Sequence, residues 1–316
     1  MKESIKLLGS DFVFNIESMA RFIQEQSNDF LVVAFVGPQN SGKSTLANLL
    51  LNADPEVNEK IFKTRSRQCL THIGPITKGI DIYISKERVI VLDCAPILSN
   101  ISYKDFISSE LDDLKTLSFL LTVCNIIVIV QEKYVNSSIA RIILAAEMMR
   151  TRNPLNGTDE ENLAQIMLVE NKAQNERLAA KHMRDMKSMY KTIFQCSKIN
   201  YFLMDSSKPD EKNTTENVNF FVFPDLKHTN QSTVKNSINN FRTRILMNKR
   251  YTTKYHQGTQ FNEKMWLQSL IKTWESQCNN YFFKKYGNLK EKFNLLNHVS
   301  INDGLKYDKH VYYPDD

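Results

Sequence analysis

Apolar residues along the chain follow two rhythms, and their alternation sets the expected architecture. Leu31-Val-Val-Ala-Phe-Val36 is an unbroken apolar run of strand length, and residues 46–51 behind it are apolar on one helical face. Ile80-Asp-Ile-Tyr-Ile84 alternates with period two, residues 85–87 make a turn, and Arg88-Val-Ile-Val-Leu92 is again continuous. That spacing predicts a hairpin of an edge strand and a central strand. A helix over 105–123, a buried strand over 125–130 and a helix over 137–149 follow, the last with Ile139, Ile142, Ile143, Ala146 and Met149 facing inward. Next come a strand over 166–169 and an amphipathic helix over 178–194, with Met183, Met186, Tyr190 and Ile193 on one face. Phe220-Phe-Val-Phe223 is the last strand, before helices over 234–246 and 261–283; the second steps through Leu267, Ile271, Trp274, Cys278 and Phe282. At the start of the chain Phe12, Ile16, Met19, Phe22 and Ile23 predict a helix over 12–26. Strands alternating with helices give an α/β protein with a wound mixed sheet, flanking helices and a C-terminal helical extension.

The connections over 52–76, 150–162 and 206–217 are polar and weakly periodic, and long connections in compact domains are often functional. The tail from Gly287 has little periodicity and is expected to order against a partner. With 42% hydrophobic and 24% charged residues among 316, the chain has the composition of a globular protein with a sizeable core. The stretch 117–130 is too short, and with Ser118, Thr122 and Asn125 too polar, to cross a bilayer. The opening Met-Lys-Glu-Ser-Ile-Lys does not read as a secretory signal, so a cytoplasmic, alternatively nuclear, location and no membrane association are expected. Five widely spaced cysteines fit neither a disulfide framework nor a metal site. The net charge of +6 is scattered over 41 basic and 35 acidic residues, and without an aromatic-basic stripe it does not support direct RNA binding.

The candidate chemistry lies between the first strand and its helix. Gly37-Pro-Gln-Asn-Ser-Gly-Lys-Ser-Thr45 matches Gly-x-x-x-x-Gly-Lys-Ser, a loop whose backbone N–H groups cradle phosphate oxygens. Gly37 and Gly42 allow the tight turn, Asn40, Ser41 and Thr45 belong to the cradle, Lys43 adds positive charge, and Ser44 would place a hydroxyl on Mg²⁺. Asp93, at the end of a hydrophobic strand, is either a second magnesium element or a turn cap. Thr77 is either a threonine that closes on Mg²⁺ and the terminal phosphate or an ordinary loop residue. After the strand over 166–169, Asn171-Lys172-Ala173-Gln174 stands where a guanine-reading Asn-Lys-x-Asp would be. Glutamine has one acceptor and one donor where aspartate has two acceptors. Full polar matching can discriminate on the order of 10⁴-fold, so the swap leaves both GTP/GDP and ATP/ADP open. No Gln or His directly follows Asp93 to orient water, and Arg65 and Arg67 read as a solvated face. No catalytic residue is assigned, and turnover is expected to be slow or absent.

The order of phosphate loop, Thr77, hairpin and Asp93 resembles that of GTPase domains, and Thr77-Lys-Gly-Ile80 resembles the corresponding stretch of guanylate-binding proteins and atlastins. Leu92-Asp-Cys-Ala-Pro-Ile-Leu-Ser99, Leu117-Ser-Phe-Leu-Leu-Thr-Val-Cys124, Ile126-Ile-Val-Ile-Val-Gln131, Ala145-Ala-Glu-Met148, Leu168-Val-Glu-Asn-Lys-Ala173 and Phe221-Val-Phe-Pro224 resemble, more specifically, the family of the ninth SMG factor of nonsense-mediated mRNA decay. The likeness runs from about residue 32 to residue 277. It implies a P-loop GTPase-like (G-domain) subunit that pairs with the eighth SMG factor and docks on a large PI3K-like kinase. It also carries over Lys43, Ser44, Thr77, Asp93 and Lys172 as pocket positions. The expected organisation is a helical segment over 1–30, a G-like P-loop nucleotide-binding domain over 31–250, and a C-terminal helix and tail over 251–316. An active GTPase switch of the guanylate-binding or atlastin type is the alternative.

Overall fold

The structure, a computed structural model, describes residues 1, 3–51, 60–64, 75–99, 106–132, 136–150, 164–203, 214–248 and 261–292. Its strands are β1 (Ile5–Leu8), β2 (Leu31–Val36), β3 (Ile80–Ile84), β4 (Val89–Cys94), β5 (Ile126–Glu132), β6 (Gln165–Ala173) and β7 (Phe220–Pro224). Its helices are α1 (Ile16–Ala20), α2 (Lys43–Leu50), α3 (Phe106–Val123), α4 (Ser137–Met148), α5 (Ala180–Phe194), α6 (Gln231–Leu246), α7 (Glu263–Asn279) and α8 (Tyr281–Lys292). The seven strands form one sheet in the order β1-β3-β4-β2-β5-β6-β7. β4, β2, β5, β6 and β7 run parallel, and the β1/β3 and β3/β4 pairings are antiparallel.

Side-chain alternation along β2 explains its unbroken apolar run. Val32, Ala34 and Val36 pack into the core shared with α3, α4, α5 and α7, while Leu31, Val33 and Phe35 pack into the core under α2 and α6. Both faces are covered, so the strand has no polar side to present. Asn125 stands in an apolar stretch because its side chain accepts the Val32 N–H (2.7 Å) and its own N–H donates to the Val32 carbonyl (3.0 Å). All five parallel strands end on the same edge, where ligands bind in open α/β sheets. The phosphate loop, Asp93, residues 171–174 and the turn after β7 all lie along it.

Three expectations need correction. The helix over 12–26 is reduced to α1: Phe12 sits at φ +61°, the Asp11 carboxylate accepts the Val13 N–H, and Asn15 caps Ser18. The periodic apolar residues there serve other contacts, with the Phe12 and Phe14 rings on Trp274 at 5.4 and 6.1 Å. Residues 5–8 form β1, which bonds to β3, so β3 is an interior strand and not the edge. The helix over 261–283 is two helices. Asn280 is extended (φ −62°, ψ 125°), its side chain accepts the Phe282 N–H, and its amide donates to the Met149 carbonyl. The break rotates the face that follows it, leaving Phe282 62% exposed while Phe283 is buried; Cys278, still within α7, is exposed as well. The residues from Gly287 to Lys292 continue α8. Most of 52–76, 150–162 and 206–217, and 293–316, lie outside the described residues.

The C-terminal helix α7 is part of the core. Trp266 donates its indole N–H to the Val123 carbonyl (2.9 Å), Gln277 donates to the Ser118 hydroxyl (2.9 Å), and Trp274 meets Phe119 edge-on at 5.3 Å. No helix among the described residues is long and apolar enough to cross a membrane.

Candidate functional site

The turn between β2 and α2 depends on two glycines. Gly37 (φ +154°) lies against β5, where a Cβ would sit 2.0 Å from the Val130 carbonyl oxygen. Gly42 (φ +98°) is in the left-handed region, and its Cβ would meet the Asn171 amide at 2.2 Å. Gly42 is also the N-cap of α2, so unpaired helix N–H groups and the positive end of the helix face the loop. Lys43 is buried, and among the described residues its ammonium donates to the Gly37 and Pro38 carbonyls alone, at 3.0 and 2.9 Å. Burial lowers its pKa, while Asp93 and then Cys94 act in the other direction. A buried cation without a carboxylate in contact is costly, and an anion in the loop would compensate it. The Ser41 hydroxyl is also buried and has no hydrogen-bond partner among the described residues.

Beneath the loop Asp93 gathers the two candidate hydroxyls. Its Oδ2 accepts from Ser44 Oγ (2.7 Å) and Thr77 Oγ1 (3.1 Å), which joins the ends of β4 and α2 to the lead-in of β3. Burial pushes the carboxyl up to about 6, against the Ser44 hydrogen bond, Lys43 and the Thr77 hydrogen bond, which pull it down. Its Oδ1 is buried without a partner among the described residues. An orphaned carboxylate oxygen beside two hydroxyls fits a divalent cation. One carboxylate with two hydroxyls suits Mg²⁺, which takes one or two carboxylates and fills its shell with phosphate and water.

At the other end β6 runs through the Asn-Lys pair. The Asn171 amide donates to the Ser41 carbonyl (2.8 Å), and Lys172 (φ +57°) donates to the Asn40 carbonyl (2.7 Å) and pairs with Glu132. These two residues therefore brace the phosphate loop from behind. Gln174 is exposed and begins the short 3₁₀ turn 175–178.

A cavity of about 570 Å³ runs between these ends. Asn40, Gly42, Lys43, Ser44, Thr45, Thr77, Asn171 and Lys172 line it; Gly37, Ser41, Asp93 and Gln174 do not. Two groups of lining residues were missed in the sequence reading. Lys63 and Thr64 reach the cavity because Asn48 holds the adjacent Phe62 backbone by both its N–H and its carbonyl, each at 2.9 Å. Pro224 ends β7 and Asp225, Leu226 and Lys227 form the turn after it, and an acidic residue directly behind an apolar strand was the signal available for them. Arg65 and Arg67 lie outside the described residues.

The segment after Asp93 is tied on three sides. The Ala95 N–H donates to the Gly79 carbonyl (2.7 Å), Ile97 to the Gly37 carbonyl (3.2 Å) and Leu98 to the Asp113 carboxylate (2.8 Å), and Pro96 has no N–H to give. Burial pushes the Asp113 carboxyl up to about 7, the Leu98 N–H pulls it down, and Asp112 adds to the rise. A folded pKa above the unfolded carboxylate value means the folded chain keeps a proton that the unfolded chain has lost. The contribution to stability is therefore present at about pH 4 and is lost as pH rises through about 7. Asp113→Asn keeps an acceptor for Leu98 without the charge. We expect it to be more stable than the parent by about 2 kcal/mol at pH 8, with less than half that gain at pH 5. Urea denaturation at the two pH values checks this, and a gain that does not change with pH would refute it.

The sequence model of the 50S ribosome-binding GTPase family matches residues 32–172, the span from β2 through the Asn-Lys pair. The chain is 29% identical over 255 residues to the nonsense-mediated mRNA decay factor SMG9 of Xenopus tropicalis, covering 72% of this chain and 48% of that protein. It is 26% identical over 314 residues to Protein SMG9 of Drosophila melanogaster, covering 92% and 61%. With the Caenorhabditis elegans nonsense-mediated mRNA decay factor SMG9 it shares 27% over 214 residues, covering 63% and 54%. The chain thus spans about half the length of the curated relatives it matches. The chain thus has a P-loop GTPase-type sheet and is similar, along most of its length, to SMG9 proteins of frog, fly and nematode.

Proposed function

We propose that the chain is a nucleotide-binding regulatory scaffold of the nonsense-mediated mRNA decay machinery, and that it holds its nucleotide without working as a hydrolytic switch. The proposal takes its pathway from the names of its relatives. Its partners, the eighth SMG factor and the PI3K-like kinase, come from the family resemblance. Gly42, Lys43 and the start of α2 receive the phosphates, Ser44 and Asp93 hold Mg²⁺ with Thr77 beside them, and Asn171 and Lys172 brace the loop. Mg²⁺ supplies charge neutralisation between the phosphates and Asp93. A ligand at 100 times its dissociation constant stabilises the fold by about 2.7 kcal/mol, which would brace the surface around Thr77 for a partner.

The observation that carries the non-switching reading is the segment after Asp93. A switch that senses the terminal phosphate must turn a backbone N–H toward it. Here the N–H groups of Ala95, Ile97 and Leu98 are already spent on Gly79, Gly37 and Asp113, and proline stands between the first two. Denaturing purified protein and identifying any released nucleotide by chromatography tests occupancy. Phosphate release under multiple-turnover conditions, with and without partner, is expected to stay at background. Sustained turnover would favour the GTPase alternative.

A further inference from the structure

The cavity end opposite the phosphate loop offers a carboxylate that the Asn-Lys-x-Gln motif lacks. Gln174 holds the fourth motif position, yet it is exposed and outside the cavity lining, and its backbone carbonyl is engaged by the Arg177 N–H (2.9 Å) of the 3₁₀ turn. One strand over, Asp225 lines the cavity together with Lys172. It is held there at two points. Its N–H donates to the Ala173 carbonyl (3.0 Å), beside Gln174, and its Oδ1 accepts the Lys227 N–H (3.0 Å), closing an Asx turn. Both anchors are backbone groups, so the loop carries the carboxylate on the strand framework. Each carboxylate oxygen can accept two hydrogen bonds, and among the described residues the other oxygen, Oδ2, makes none.

We propose that Asp225, and not Gln174, sets base specificity in this pocket by accepting hydrogen bonds from N–H donors on the edge of a purine. This rests on the nucleotide-binding reading above. Guanine offers such donors at N1 and the 2-amino group, adenine at the 6-amino group. A pocket that presents a fixed acceptor discriminates against bases that leave it unmatched. The acidic residue of the familiar motif is thus replaced by one from the turn after β7, at the same end of the cavity.

Asp225→Asn is the informative change, because the asparagine carbonyl still accepts the Lys227 N–H and preserves the turn while the charge and one acceptor are removed. Binding of GDP, ADP and purine riboside diphosphate, which has no base N–H donor, is measured by calorimetry with Mg²⁺ on the full chain. Parent protein is expected to prefer GDP or ADP over purine riboside diphosphate, and the preferred one identifies the donor. Asp225→Asn should weaken that nucleotide at least about tenfold and leave purine riboside diphosphate within about twofold, while Gln174→Ala changes all three by less than about twofold. A loss confined to Gln174→Ala, or an Asp225→Asn variant with the parent's preference, overturns the assignment and leaves the nucleotide reading intact. Equal binding of all three diphosphates by the parent does the same. Flat traces for all three on folded parent protein overturn both.

Discussion

Lys43→Ala combined with Ser44→Asn should weaken Mg²⁺-nucleotide binding at least about 100-fold, close to 2.7 kcal/mol at 25 °C. The lysine change removes a buried ammonium that, among the described residues, hydrogen-bonds two carbonyls of its own loop and no carboxylate, so its charge is available to an anion in the loop. The serine change removes the hydroxyl that, with Asp93, faces the proposed cation position and puts a bulkier amide there. Neither residue contributes to the two main apolar clusters. The ligand-free double variant should therefore melt at or above the parent's temperature, since a buried charge without a counter-ion is a cost to folding. Calorimetry with Mg²⁺ and ATP or GTP, paired with thermal melts, separates the outcomes. If nucleotide retention and partner assembly are both unchanged, the pocket is vestigial and the scaffold reading fails.

Glu263→Ala should cost about 3–5 kcal/mol, the largest loss of stability expected from a single change. Glu263 is fully buried at the start of α7, pairs with the Arg88 guanidinium through both oxygens, and accepts the Gln24 N–H (2.9 Å). Arg88 sits at φ +57° in the turn between β3 and β4, and its guanidinium also reaches the Phe22 carbonyl. One carboxylate thus joins the N-terminal segment, the hairpin turn and the C-terminal helices. Removing it leaves a largely buried guanidinium without its counter-ion and a backbone N–H without an acceptor. Total stabilities of about 5–15 kcal/mol make such a loss a large fraction of the whole. Replacing both partners, Glu263→Leu with Arg88→Met, should recover part of the loss, because an apolar pair carries no stranded charge. Urea titrations of the three forms measure this; a single-variant cost below about 1 kcal/mol would show that the clamp is dispensable.

Much of the architecture was open to reading because it is local. The runs at 31–36 and 89–92 are apolar on both faces, as strands between two helical layers must be, and the helices over 137–149 and 178–194 carry their stripes at the helical period. Failures occurred where a long-range partner overrode local rhythm. The Phe12 and Phe14 rings answer to Trp274, and the bend at Asn280 answers to Met149, each more than a hundred residues away. β1 could not be seen because four residues carry too little periodicity; pairing with β3 makes them a strand.

The linear chain settled which chemical groups are present. Two glycines, a lysine and a hydroxyl at fixed spacing, followed by an acid at a strand end, bring their conformational and charge preferences wherever they fold. Tertiary structure alone decided how those groups meet: that Ser44 and Thr77 converge on one oxygen of Asp93, that the N–H groups of Ala95, Ile97 and Leu98 after it are already donated, and that Asp225 lines the cavity while Gln174 is exposed. The reason is that hydrogen bonding and burial act between groups close in space. The parallel sheet brings strand ends separated by dozens of residues to one edge, and no local periodicity encodes that distance.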